Sequence, residues 1–101
     1  MNIGIAIKTL RKRKSFNQKQ FCEKVGITQS YLSLIESNKK TPSTEVLEKV
    51  ATAVDVPLPI LFWFTVDEND VDNRKLEMFR LLKPSIDKLI TDLFNNTENT
   101  Y

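Results

Sequence analysis

An all-helical fold is what this sequence predicts, and three observations carry the prediction. Apolar residues recur at spacings of three and four along almost the whole chain. The alternating pattern of strands is missing, and glycine is nearly absent, with only Gly4 and Gly26 in 101 residues. Breaks in the helical pattern then divide it into elements.

Ile3, Ala6, Ile7 and Leu10 mark a first helix running to about Lys14, with Lys8, Arg11, Lys12 and Arg13 on its outer side. Ser15 and Phe16 interrupt it, and Asn17 is a good N-cap because its side chain can accept a bond from a first-turn amide. Gln20 completes a capping box, and Phe16 and Phe21 occupy the two positions of a hydrophobic staple, so a second helix starts at Gln18. Gly26 suits the left-handed turn that ends it, and Thr28 caps a third helix from about Gln29 to Ser37, with Ile27 and Leu32 as another staple. Asn38 can take the left-handed conformation that follows.

Pro42 and Ser43 open a fourth helix whose Val46, Leu47, Val50, Ala51 and Val54 face inward. The prolines at 57 and 59 break the pattern before a short fifth helix at about 60–64, and residues 67–72 read as a linker. Beyond it, Leu76, Phe79, Leu82, Ile86, Leu89 and Leu93 follow three-four spacing, widened by Leu81, Ile90 and Phe94. Proline inside a helix removes a hydrogen bond and clashes with the preceding turn, so Pro84 predicts two helices, 72–82 and 84–95, with the proline in a first turn. The chain thus divides into a five-helix domain, 1–66, and a C-terminal helical extension, 67–101.

Composition narrows the function. Apolar residues make up 41% and charged residues 28%, a globular balance, and no apolar run approaches the ~20 residues that span a bilayer. The first basic residues follow a short apolar stretch, the reverse of a secretory signal, which points to the cytoplasm. Cys22 is the single cysteine and histidine is absent, so an internal disulfide, the usual zinc ligand sets and the commonest general base are all missing. Two glycines cannot build a phosphate cradle. The expectation is a protein that is not an enzyme and needs no cofactor and no metal. Charge is uneven: residues 1–66 hold ten Lys or Arg against five Asp or Glu, a net +5, while residues 67–101 hold five against eight, a net −3. A basic module of this kind fits a polyanionic partner.

At ~100° per residue the third helix places Gln29, Ser30, Ser33, Leu34 and Ser37 within an arc of ~140°, opposite a side holding Thr28, Tyr31, Leu32, Ile35 and Glu36. Small hydroxyls let a backbone approach another surface closely, and glutamine can bond bidentately to adenine in a major groove. A plain reading of Gln29 and Ser30 as first-turn surface residues competes with this one. Two helices joined by a tight glycine turn, the second with a close-approach polar face, form a helix-turn-helix arrangement.

Residues 18–37 resemble the helix-turn-helix of the lambda-repressor/Cro-like family, also called the XRE type, in Gln18, Cys22, Gly26, Leu32 and Ile35. The resemblance runs over about 7–62 and includes Arg11 with Glu36 as a structural ion pair. It implies a five-helix lambda-repressor-like DNA-binding domain followed by one or two C-terminal helices. By it, the second helix lies across the DNA backbone, with Gln18 and Lys19 on phosphate. Gln29 and Ser30 lead a base-reading set completed by Ser33 and Leu34, and Tyr31, Ser37, Asn38, Lys39 and Lys40 follow the phosphates. Leu34 stands where some relatives place a polar reader, so that contact is either missing or made to a thymine methyl. Asn38 replaces the usual glycine, and Cys22 is a small core residue.

One such module reads few base pairs, so specificity normally needs a dimer on half-sites ~34 Å apart. Two surfaces are candidates for dimer or partner contacts. The consecutive Phe62, Trp63 and Phe64 cannot all turn inward from a short helix, and the stripe of Leu76, Phe79, Leu82, Ile86, Leu89 and Leu93 is the second. The leading expectation is a sequence-specific DNA-binding transcriptional regulator, a repressor, binding double-stranded DNA at a pseudo-palindromic operator as a homodimer. The alternative is a protein-interaction adaptor or antitoxin-like regulator whose C-terminal helices bind a partner protein.

Overall fold

The computed structural model describes residues 1–94, which form six α-helices and no strand. They are α1 (Ile3–Arg13), α2 (Gln18–Val25), α3 (Gln29–Glu36), α4 (Thr44–Ala53), α5 (Leu58–Trp63) and α6 (Leu76–Leu93). The first five belong to one unit, Met1–Val66, and a second unit begins at Asp67.

In the first unit the helix starts follow from local chemistry. Asn2, Asn17, Thr28 and Ser43 each accept a bond from a first-turn amide, which satisfies donors that a helix cannot pair by itself. At α2 the capping box is complete, and the Phe16 and Phe21 rings lie 6.2 Å apart. The apolar faces then converge: α1 packs on α3 and α5, α2 on α3 and α4, and α4 on α5. Ile7, Phe21, Leu32, Ile35, Val50 and Leu61 are buried at the centre, while Val46, expected to face inward, is only partly covered. Truncating a side chain such as Phe21 to alanine removes burial and leaves a cavity, at a cost of about 3–5 kcal/mol.

Two expectations about proline are corrected. The fifth helix begins at Leu58, ahead of the expected 60, with Pro59 in its first turn. The missing amide of a first-turn proline is one the helix would not have used. The second correction concerns Pro84, which stands inside a single helix, α6, rather than at the start of a second one. Its penalty is local, whereas the three-four stripe keeps one register on both sides of it. The i,i+4 pairs Lys83–Asp87 at 3.2 Å and Lys88–Asp92 at 2.9 Å support the turns that follow. The helix expected from residue 72 starts at Leu76, because residues 68–70 and 73–75 are short 3-10 turns capped by Asp67 and Asp72. The expected end of the last helix at residue 95 lies outside the described residues.

The start of α6 is joined to the first of these turns by Arg80, which donates to both carboxylate oxygens of Glu68 at 2.8 Å. That fork holds the Glu68 carboxyl below its ordinary range. None of the described helices is long and apolar enough to cross a membrane.

Candidate nucleic-acid interface

The turn between α2 and α3 is three residues long and is made by Gly26 at φ 85°. In that left-handed state the Gly26 and Ile27 amides both donate to the Cys22 carbonyl, at 2.7 and 3.1 Å, and close the end of α2. Thr28 then caps α3 through the Tyr31 amide at 3.1 Å. The turn fixes which side of α3 meets the core. Leu32 and Ile35 are buried, and Gln29, Ser30, Ser33, Leu34 and Ser37 are exposed on the opposite face.

A buried ion pair anchors this helix from beneath. The Arg11 guanidinium donates through Nε to Glu36 Oε2 at 2.7 Å and through Nη2 to Oε1 at 3.2 Å, and its Nη1 donates to the Phe16 carbonyl at 2.7 Å. Both side chains are only 6% exposed. One arginine thus fastens the α1–α2 connection and the end of α3 together. Gln18 joins the same cluster, donating to Glu36 Oε1 at 3.2 Å and accepting from the Ser33 hydroxyl at 3.5 Å. Its side chain therefore links the start of α2 to the exposed face of α3.

The remaining expected contacts are distributed unevenly. Lys19, Lys39 and Lys40 are exposed and Tyr31 is half-buried. Ser37 donates its hydroxyl to the Leu34 carbonyl at 3.2 Å, so its oxygen lies at the α3 terminus. Leu34 is 38% exposed, an apolar side chain on an otherwise polar face. Within the basic run of α1, Lys14 pairs with Asp55 at 3.2 Å and the Arg13 guanidinium lies 5.0 Å from the Phe64 ring centre. Lys8 and Lys12 remain exposed.

Asn38 stands at φ 61° after α3, and the Lys39 and Lys40 amides both donate to the Leu34 carbonyl, at 2.8 and 3.2 Å. Its side chain reaches across to α1. Oδ1 accepts from the Gly4 amide at 2.9 Å, and Nδ2 donates to Asn2 Oδ1 at 2.8 Å. The sequence reading expects Asn38 to take a left-handed backbone and to follow the phosphates, whereas its side chain is bonded to Gly4 and Asn2, two residues for which no role is expected. The available signal is Gly4 itself, a glycine in the first turn of an apolar helical pattern.

Cys22 is buried, and burial, followed by the nearby Glu36 carboxylate, raises its thiol pKa against the opposing effect of Arg11. It stays a protonated core residue. Among the described residues no cluster of carboxylate, cysteine or histidine side chains is placed to hold a metal ion. Of the aromatic triplet, Phe62 is exposed, Trp63 half-buried and Phe64 buried. On α6, Leu82, Leu89 and Leu93 are exposed while Leu76, Phe79 and Ile86 are half-buried.

Comparison with known proteins agrees with this geometry. A family model described as helix-turn-helix matches residues 7–61, over half of the chain. The HTH-type transcriptional regulator SinR of Bacillus licheniformis is 41% identical over 73 residues, which cover 71% of this chain and 65% of that protein. The chain thus spans just under two thirds of that regulator's length. A crystal structure of SinR, described as the master regulator for biofilm formation, in complex with DNA has a TM-score of 0.56 at 43% identity. It covers 59% of this chain and 97% of its own. A SinR/SinI protein complex has a TM-score of 0.57 at 32% identity, covering 90% of this chain and 93% of its own.

Proposed function

The chain belongs to the lambda-repressor/Cro-like, XRE-type helix-turn-helix family, and on that premise we propose that it is a sequence-specific DNA-binding transcriptional regulator acting as a repressor. The observation that carries this reading is the exposed face of α3. Its small polar side chains stand over a buried Arg11–Glu36 pair and a glycine turn that together fix its orientation. The DNA complex of the 43% identical SinR supports it.

In this reading α2 lies across the sugar-phosphate backbone with Gln18 and Lys19 nearest the strand, and α3 enters the major groove. Gln29 and Ser30, in the first turn, meet base edges, with Ser33 beside them. Leu34 offers an apolar contact suited to a thymine methyl. Ser37, Lys39, Lys40 and the Tyr31 hydroxyl approach phosphates. Phosphate contacts set the register, and base contacts set the sequence. A pseudo-palindromic operator requires two copies, which the exposed leucines of α6 and the exposed Phe62 would bring together. A regulator of this kind works where the chromosome is, in the cytoplasm.

A second reading has its own observation. The SinR/SinI complex aligns with 90% of this chain, so the apolar stripe of α6 also suits a protein partner, as in an adaptor or antitoxin-like regulator. The test that separates base reading from general attraction compares two substitutions on a bound duplex and on unrelated duplexes. Gln29→Ala should reduce preference between sequences by about 1–3 kcal/mol, while Lys39→Ala should weaken all duplexes alike. Equal losses for both variants on every duplex would sink base reading by Gln29.

A further inference from the structure

The first turn of α1 and the exit of α3 are tied together through Asn38. Asn2 Oδ1 accepts from the Ile5 amide at 3.0 Å as the cap of α1 and from Asn38 Nδ2 at 2.8 Å, and the Asn2 amide donates to the Thr65 carbonyl at 2.7 Å. Gly4 makes the approach possible. A β-carbon there would lie 2.6 Å from the Ile35 carbonyl oxygen and 2.7 Å from that of Glu36, backbone atoms that cannot step aside. The amide end of α1 therefore sits directly on the carbonyl end of α3, a favourable meeting of opposite helix dipole ends.

A glycine at position 38 would serve the left-handed backbone at no steric cost. What asparagine adds is the side-chain tie to α1, and the next two residues are Lys39 and Lys40, both exposed. Among the described residues neither lysine has an ion-pair partner. Their turn is held inward by the Leu34 carbonyl and sideways, through Asn38, by the start of the chain.

We propose that Asn38 is a positioning residue for Lys39 and Lys40. By tying the α3 exit turn to Asn2 and Gly4, it holds both ammonium groups against the phosphates of a bound duplex. DNA affinity then depends on the first residues of the chain as well as on the reading helix. This inference rests on the DNA-binding reading above. Its distinctive consequence is that a neutral substitution changes the electrostatic part of binding.

The test measures affinity of the full chain for a selected duplex and an unrelated one over a series of salt concentrations, well below the melting temperature of every variant. Asn38→Gly should lower affinity for both duplexes about tenfold and make the slope of log K against log salt shallower by about one to two, with the preference between them unchanged. Asn2→Ala, which breaks the tie from the other helix, should shift the slope in the same direction and carries the test if Asn38→Gly does not fold. In a Lys39→Ala, Lys40→Ala background Asn38→Gly should leave the slope where it is. An Asn38→Gly chain with the parent's slope, even with a lowered melting temperature, overturns the positioning role. So does a further change of slope when both lysines are gone. A parent chain with no salt-dependent binding overturns the DNA-binding reading and this inference with it, a result distinct from either.

Discussion

The two units of the chain use their apolar residues in opposite ways. Every buried side chain of the described residues lies between Gly4 and Thr65, whereas no residue of 67–94 is buried. In the first unit the leucines, isoleucines and valines are largely consumed by the core, and the face left outside on α3 is mostly hydroxyl and amide. In the second, Met78, Leu81, Leu82, Leu89 and Leu93 are exposed, the last at 75%. A helix with such a stripe gains little from burial, and its visible supports are exposed ion pairs such as Glu68–Arg80 and Asp72–Arg74, which individually contribute little. The first unit is therefore built to present a rigid polar surface. The second leaves its apolar stripe exposed.

The strongest way to break this contrast is to remove one arginine from each unit. Arg11→Ala leaves the Glu36 carboxylate buried without its main partner and frees the Phe16 carbonyl, so stability should fall by about 3–5 kcal/mol in denaturant unfolding. Arg80→Ala, from an exposed pair, should leave the main unfolding transition nearly unchanged. Comparable losses from both would mean that the second unit carries a core of its own.

Acid should sharpen the contrast by a smaller amount. Arg80 holds Glu68 below its ordinary pKa of 4.5, and Arg74 holds Asp72 below 3.8. A carboxyl with a lowered pKa in the folded state contributes stability that is complete above the ordinary value and is lost as pH falls through the folded one. As the pH drops from 4.5 downward, hydrogen exchange should show residues 67–75 losing protection while Leu32 and Ile35 keep theirs. Loss of protection in α3 first would contradict the assignment.

What was legible in the sequence was local. The caps at Asn17 and Thr28, the staple of Phe16 with Phe21 and the Gly26 turn each involve residues within about five positions, so their side chains reveal the geometry directly. The candidate reading face followed from helical period alone. Pro84 departs from the sequence expectation because a proline's cost is local, while the three-four spacing keeps one register on both sides of it. The Asn2–Gly4–Asn38 tie was invisible for another reason. It joins groups 34 and 36 positions apart, and only packing α1 against α3 brings them within hydrogen-bond distance. Gln18 likewise shows a link to Glu36 and Ser33 that motif matching does not reveal.

In the proposed function, residues 1–66 read the duplex while the second unit brings two copies to it. The most direct test takes a half-site recovered from a random duplex pool and measures the full chain and a 1–66 fragment on one copy and on two copies about 34 Å apart. Both proteins should bind the single half-site with equal affinity, and on the paired site the full chain should gain at least about tenfold, because the second contact becomes intramolecular. Equal affinity of fragment and full chain for the paired site, or a pool that yields no common sequence, would contradict it.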